Sequence, residues 1–425
     1  MEFLEDGYAK DLDTSDELKR FRQMFALDDP NLIYLDGNSL GMLPAATPEL
    51  IENVIAKEWG SNLIRSWNDG WYERSREIAA KLAPLIGAKP DEVIMADSTS
   101  VNLFKLAYAA LQSQEEKRAI VTDELNFPSD IYLLQGLVKL FGGKHELRLA
   151  RSYDGMRVET SEIIRMLKDD TALLTLSHVA FKSSFMYDMK EITSIAHESG
   201  AMVLWDLSHA AGAVPVKLND SNADMAIGCT YKYLNGGPGS IAFLYVRKDL
   251  QEKLVSPIWG WFGQKDPFNF RLDYEPADGI QRFLAGTPPV LSLSAIEPAL
   301  DMMLEAGIEN LRAKSLAQSR YLIELHKHFL EPLGFGLGSP ENDFERGSHV
   351  SVCHPEAYRI CKALIDPGTG DKTVIPDFRE PDNIRLGITP LYTSYMDIYE
   401  AVMQLKNIAE EKLYNRFSLQ RERVT

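Results

Sequence analysis

Cysteine is scarce in this chain of 425 residues, which contains only Cys229, Cys353 and Cys361. These residues form no CxxC pair and no even-numbered framework, a pattern that argues against a disulfide-stapled fold and against a zinc site built from thiolates. We therefore predict no metal site and a location in the reducing cytoplasm.

Long apolar runs and an excess of positive charge are missing as well. No stretch approaches the ~18 uninterrupted apolar residues of a membrane span, and charges interrupt residues 1–22, where a signal peptide would need an apolar core. The formal net charge is −17, which excludes a nucleic-acid binder held by general basicity. We expect a soluble protein with no membrane and no nucleic-acid partner.

What is present is typical of an enzyme-sized globular protein, since 45% of the residues are hydrophobic and 25% are charged. From residue 98 to 246, short apolar runs alternate with segments of helical periodicity. This alternation predicts an α/β fold with a large, mostly parallel sheet covered by helices. The expected strands are residues 119–122, 146–149, 172–177, 201–205, 224–229 and 240–246, and the expected helices are residues 129–140, 161–168 and 189–198.

A boundary follows a long helical stretch over residues 291–329, because the composition becomes rich in Gly and Pro at residues 334–340. The rest predicts a smaller α+β domain, with strands at 349–353, 373–375 and 383–388 and helices at 356–365 and 396–413. We predict three parts: an N-terminal segment, 1–60, that contributes to the small domain and to the substrate site; a large domain, 61–330; and the small domain, 331–425.

Two residues indicate a chemistry. Asp206 follows an apolar run, at the carboxyl end of an expected strand, where open α/β sheets bind ligands. Lys232 stands between two tyrosines and ahead of a glycine-rich turn at 236–239, and glycine allows the backbone to approach a bulky ligand. An acid and a lysine in this order suit a pyridoxal phosphate enzyme, in which the lysine binds the aldehyde and the acid pairs with the pyridine nitrogen.

A phosphate group would need hydroxyls and free backbone N–H groups. Residues 97–104 supply serine and threonine at the start of a helical pattern, and helix N-termini bind anions. Phe127, just before a second helix start, would stack on a pyridine ring. Each motif alone has an ordinary explanation, such as an N-cap for Ser98 or Thr99 and a turn for Asp206. Their combination favours the cofactor site.

These motifs together resemble the kynureninase family. The resemblance rests on blocks at residues 35–41 (LDGNSLG), 127–130 (FPSD), 205–210 (WDLSHA), 231–239 (YKYLNGGPG) and 260–263 (GWFG). It implies a homodimeric fold type I pyridoxal 5′-phosphate enzyme that hydrolyses L-kynurenine to anthranilate and L-alanine, with the active site at the subunit interface. Tryptophan catabolism and NAD biosynthesis are both open as the pathway.

The same resemblance implies roles for individual residues. Lys232 matches the lysine that binds the cofactor covalently, Asp206 the partner of the pyridine nitrogen, and Arg385 the arginine that binds the substrate carboxylate. Asn38, Ser39 and Trp67 match the substrate side of the pocket. The other cofactor contacts are Thr99, Ser100, Phe127, Asp130, Ser177, His209, Tyr231, Trp261 and Thr287, the last two expected from the neighbouring subunit.

Several alternatives stay open on the sequence. Tyr231 is either a proton donor in catalysis or a phosphate ligand only. Trp67 either packs on the aniline ring, where it would favour L-kynurenine over 3-hydroxykynurenine, or belongs to the core. The fold type also includes cysteine desulfurases and class V aminotransferases. A desulfurase needs a reactive cysteine on a mobile loop, whereas Cys353 lies in an expected strand, and those relatives usually carry histidine where Tyr231 stands.

Overall fold

The computed structural model describes residues 2–420. The strands are β1 (Leu32–Tyr34), β2 (Val93–Met95), β3 (Ala119–Asp123), β4 (Glu146–Ala150), β5 (Thr171–Ser177), β6 (Met202–Asp206), β7 (Met225–Gly228), β8 (Phe243–Val246), β9 (Gly336–Leu337), β10 (His349–Cys353), β11 (Thr373–Ile375), β12 (Asp377–Arg379) and β13 (Asn383–Gly387). The α-helices are α1 (Asp6–Ser15), α2 (Thr47–Asn53), α3 (Arg74–Leu82), α4 (Thr99–Ser113), α5 (Pro128–Leu140), α6 (Thr160–Met166), α7 (Met189–Glu198), α8 (Val290–Ala295), α9 (Glu297–Ala306), α10 (Ile308–Leu325), α11 (Ala357–Ile365) and α12 (Tyr395–Glu410).

The large sheet confirms the predicted α/β fold. Its seven strands lie in the order β2-β8-β7-β6-β5-β3-β4. The strands from β3 to β7 run parallel, and β8 and β2 add an antiparallel edge. Every residue of β3, β5 and β7 is buried, because helices cover both faces of such a sheet. The carboxyl ends of these parallel strands therefore meet at one edge, where a ligand site forms.

Two predicted elements differ from the structure. The stretch 291–329 divides into α8, α9 and α10, because Pro298 lies in the first turn of α9 and Gly307, with φ +78°, separates α9 from α10. The strand expected at 240–246 begins only at Phe243. The backbone of Ala242 instead bonds to Ala96 and to Asp97 at the end of β2.

The small domain is built on an antiparallel sheet in the order β12-β13-β10-β9. Strand β11 lies outside this sheet and pairs in parallel with β1, from the start of the chain. Ile33 and Leu35 are buried in the same core as β10 and β13, whereas Phe21 and Phe25 pack into the core of the large sheet. The N-terminal segment thus joins both cores.

No helix among residues 2–420 is long and apolar enough to cross a membrane.

Candidate active site

The carboxyl ends of neighbouring strands β5 and β6 place two polar side chains together. Asp206, the last residue of β6, is buried and accepts hydrogen bonds from Ser208 N at 2.9 Å and Ser208 Oγ at 2.6 Å. Ser177, the last residue of β5, lies with its Oγ 3.4 Å from Asp206 Oδ2. These bonds fix the carboxylate of Asp206 in one orientation.

Lys232 lies on the loop after β7 and faces the same edge of the sheet. Its Nζ is 3.0 Å from His209 Nε2. The ring of Phe127 lies 5.8 Å from this Nζ, and the ring of Tyr231 lies 5.7 Å from it. Burial of His209, together with the positive charges of Lys232 and Arg385, holds the pKa of its imidazole well below the ordinary value. Lys232 therefore stands beside a neutral imidazole.

Asp130, in the first turn of α5, completes this group. Burial raises the pKa of Asp130 well above its usual range, the nearby Asp206 raises it further, and Lys232 opposes the change. Asp130 Oδ2 and His209 Nδ1 are both buried and have no hydrogen-bond partner among the described residues. Buried polar atoms without partners are rare, so their presence here indicates that the pocket accepts a polar ligand.

The starts of helices α4 and α5 converge beside this pocket. Ser98 caps α4 by accepting a hydrogen bond from Val101 N at 3.4 Å. Ser100 Oγ, exposed near the start of α4, lies 3.3 Å from Ser129 Oγ in the first turn of α5. Thr99, which lies between Ser98 and Ser100 in the same turn, is half-buried. Hydroxyls and free N–H groups from two helix starts form a suitable site for a phosphate dianion.

Arg385, on β13, approaches from the small domain. It is 1% exposed, and its Nε and Nη2 pair with the carboxylate of Asp377 on the adjacent strand β12. Its Nη2 also donates to Ser39 Oγ at 2.9 Å. The Asn38 side-chain oxygen, turned toward the guanidinium, accepts from Nη2 and Nε at 3.3 Å. Three of the residues expected on the substrate side thus lie in one cluster.

Asp377 was missed by the sequence reasoning. A signal was available, because the turn residues Glu380-Pro381-Asp382 separate two short runs that form the hairpin of β12 and β13. In this hairpin Asp377 lies directly opposite Arg385. Asp377 also affects Asp36 nearby: burial and the Asp377 charge raise the pKa of Asp36 to about 6.

Tyr231 carries a protonated phenol. Burial and the neighbouring Cys229 thiol raise the pKa of Tyr231 above its ordinary value. Its backbone carbonyl accepts a hydrogen bond from Gly41 N at 2.7 Å, which ties the loop of Lys232 to the N-terminal segment that carries Asn38 and Ser39.

Trp67, Trp261 and Thr287 lie apart from this cluster within the chain. The ring of Trp67 packs 5.5 Å from that of Trp71 and 5.8 Å from that of Phe262. Among residues 2–420, the ring contacts of Trp67 and Trp261 do not include Lys232, His209 or Phe127. Thr287 is exposed. This region carries an aromatic surface of three exposed rings that contact one another in turn: Trp261, Phe268 and Phe270.

Comparison with known proteins places this site in a family. A family model described as aminotransferase class V matches residues 33–354, and a model described as the kynureninase C-terminal domain matches residues 311–405. The fold is thus that of the class V aminotransferase group. A kynureninase from Pseudomonas fluorescens is 44% identical over 96% of this chain and 96% of its own. A kynureninase from Burkholderia mallei is 42% identical over 95% of both chains. The chain belongs to the kynureninase family.

Solved structures share the fold at lower identity. A cysteine desulfurase from Thermococcus onnurineus matches with a TM-score of 0.78 and 20% identity, over 92% of this chain and 98% of its own. Here, Cys353 ends strand β10, and burial raises the pKa of its thiol. A thiol in a strand with a raised pKa is a poor nucleophile.

Proposed function

We propose that this protein hydrolyses L-kynurenine to anthranilate and L-alanine with pyridoxal 5′-phosphate as cofactor. The observation that carries the proposal is the convergence of Lys232, Asp206 and Arg385 on the pocket around His209. L-Kynurenine mixed with the purified, cofactor-loaded protein should give fluorescent anthranilate and equimolar alanine. Sulfur release from L-cysteine without anthranilate formation would favour the desulfurase alternative instead.

The residues around the pocket fit the cofactor. Lys232 would hold it covalently through its aldehyde carbon, and Asp206 would accept a hydrogen bond from the pyridine N–H. Phe127 and His209 would lie against the ring, with Asp130 and Ser177 at its edge. The phosphate would bind Thr99 and Ser100 at the start of α4, together with Tyr231. When bound, pyridoxal phosphate supplies an electron-accepting ring that stabilises negative charge on the carbon atoms of the substrate.

Lys232 has a second task in this proposal. As a free amine, Lys232 would take the proton from the substrate Cα and later return a proton to the alanine product. The neutral His209 at 3.0 Å suits this task, because a positive imidazolium would repel the protonated amine that results. Water then adds to the γ-carbonyl carbon, and the Cβ–Cγ bond breaks to release anthranilate. Tyr231, protonated and beside Lys232, supplies a proton to the remaining alanine fragment.

Arg385 would bind the substrate carboxylate. Its planar guanidinium presents paired N–H groups, and a carboxylate matches this spacing with two parallel hydrogen bonds. Asp377 pairs with Nε and Nη2 of the guanidinium, Asn38 and Ser39 contact it from the N-terminal segment, and the Phe181 carbonyl accepts a hydrogen bond from Nη1. The substrate carboxylate would replace the weaker of these partners, while the bond to Asp377 keeps the guanidinium oriented.

The Arg385→Lys variant should raise KM for L-kynurenine by about 10- to 100-fold, because an ammonium cannot form the paired bonds to a carboxylate and cannot span Asp377 and Ser39. Steady-state kinetics would measure this change. Arg379→Lys is a matched control, since Arg379 also pairs with Asp377 but has a side chain 37% exposed. Its KM should change by about fivefold at most. An unchanged KM in Arg385→Lys would place the carboxylate site elsewhere.

We also propose a homodimer that acts in the cytoplasm, with Trp261 and Thr287 of each chain completing the cofactor site of the other. The aromatic surface supports this, because a cluster of exposed rings of this size usually marks a contact with another protein. The three free cysteines are consistent with a reducing compartment. We propose the domain limits 1–60, 61–330 and 331–425, with a large and a small domain that each have their own core; the end of α10, with Leu322 and Leu325, packs into the small-domain core.

The substrate preference should follow from Trp67, on the substrate side of the pocket, and from Thr287 of the neighbouring subunit. A hydroxyl buried there without a partner costs about 1–3 kcal/mol, so kcat/KM for L-kynurenine should exceed that for 3-hydroxykynurenine by about 10- to 100-fold. Trp67→Phe should lower the ratio of the two kcat/KM values. Trp259→Phe should leave this ratio unchanged, because the Trp259 ring stacks on Tyr274, with ring centres 4.7 Å apart. Preference for the hydroxylated substrate would refute this account of the pocket.

A further inference from the structure

Lys105, on α4, is a fully buried lysine in an otherwise apolar part of the large core. Its side chain is 0% exposed, and its neighbours along the helix, Leu103, Leu106 and Ala107, belong to the apolar core. The Nζ donates to Asp97 Oδ2 at 2.6 Å and to the Phe283 carbonyl at 2.6 Å. Burying an ammonium carries a large desolvation cost, so a lysine here calls for an explanation beyond packing.

Asp97, the partner of Lys105, stands at the turn where the phosphate would bind. It directly precedes Ser98, the cap of α4, and its backbone has φ +44°, a left-handed conformation that is uncommon for a residue other than glycine. Such strain is found where the surrounding structure enforces it, often at ligand sites. Hydrogen bonds from Ala242 N to the Asp97 carbonyl, at 3.0 Å, and from Lys105 to its side chain hold this turn in place.

The charge of Asp97 is unfavourable for a phosphate site. Its side chain is 30% exposed, and the residue directly precedes the N-cap of α4, whose free N–H groups would bind a phosphate dianion. A carboxylate beside a dianion would repel it. The ammonium of Lys105 offsets this charge from the protein side, while the hydroxyls of Thr99 and Ser100 stay free for the ligand.

We propose that Lys105 is a positioning residue of the cofactor site, which neutralises Asp97 and thereby allows the turn at residues 97–100 to bind the phosphate. The inference rests on the proposed pyridoxal phosphate site and assigns to that site a buried counter-ion that does not itself touch the cofactor. It predicts that Lys105 matters for ligands that carry a phosphate and not for the pyridine ring alone.

The test compares binding of pyridoxal 5′-phosphate with binding of pyridoxal, which lacks the phosphate, to the cofactor-free protein by absorbance titration. In Lys105→Met the Kd of pyridoxal 5′-phosphate should rise about tenfold or more, because an unpaired carboxylate then faces the dianion. The Kd of pyridoxal should change by about twofold at most. The double variant Lys105→Met/Asp97→Asn should recover most of the lost affinity, since it removes the repelling charge.

Equal weakening of both ligands, without recovery in the double variant, would show that Lys105 only supports the fold and would overturn the proposal. So would an unchanged Kd for pyridoxal 5′-phosphate in Lys105→Met. If Lys105→Met fails to fold, as judged by thermal unfolding, the Asp97→Asn variant alone tests the proposal. It should bind pyridoxal 5′-phosphate at least as tightly as the wild type, and weaker binding would overturn the proposal. Wild-type protein that binds no pyridoxal 5′-phosphate would instead refute the proposed function.

Discussion

Lys232→Ala should abolish turnover of L-kynurenine, with kcat lowered at least about 10⁴-fold. The side chain removed is the proposed covalent holder of the cofactor and the base that takes the Cα proton. The Nζ of Lys232 lies 3.0 Å from His209 Nε2. Among residues 2–420, no other lysine forms a hydrogen bond with His209. The absorbance of covalently bound cofactor should disappear, while circular dichroism and the unfolding temperature should stay close to those of the wild type.

Lys232→Arg is the matched control for charge. It keeps a cation beside His209, but a guanidinium is fully protonated at neutral pH and neither binds the aldehyde nor accepts a proton. It should therefore be as inactive as Lys232→Ala. Steady-state turnover retained in either variant would refute the assignment of Lys232.

Asp206→Asn should keep the cofactor but lower kcat about 10²- to 10³-fold, because a neutral amide cannot hold the pyridine nitrogen in its protonated, electron-accepting form. The amide oxygen can still accept the hydrogen bonds from Ser208, so the pocket should keep its shape. Cofactor content measured by absorbance, together with kcat, separates loss of binding from loss of chemistry.

Ser208→Ala provides the comparison for Asp206→Asn. It removes the Oγ bond at 2.6 Å to the carboxylate and leaves both the charge and the backbone bond in place. Its kcat should fall by about tenfold, the effect of one hydrogen bond to a charged acceptor. Near-normal turnover in Asp206→Asn would show that another group protonates the ring.

The large sheet was predictable because its strands are buried on both faces and read as short continuous apolar runs between helices. Strands β2, β1 and β12 escaped prediction, since each has only three residues, and the partners of β1 and β2 are also distant in sequence. Lys232 and Asp206 could be proposed from local motifs, because strand ends and glycine turns have recognisable sequence patterns.

Other pairings in and around the site could be found only in the folded chain. The pairing of Asp377 with Arg385 depends on hairpin register, and the bond between Lys105 and Asp97 depends on α4 packing against the end of β2. Neither pairing is visible in a single sequence. The proximity of Ser39 to Arg385 likewise depends on a tertiary contact between the two ends of the chain.

The pairing of β1 with β11 has a consequence for biosynthesis. Leu32 pairs with Thr373, which the ribosome adds about 340 residues later. At synthesis rates of about 5–20 residues per second, the first strand waits roughly 17–70 s for its partner. Contacts of such long range also slow folding. Within one chain, the substrate end of the pocket, made by Asn38 and Ser39 against Arg385, is therefore the last part of the site to form, and a nascent chain released early would carry an unpaired strand.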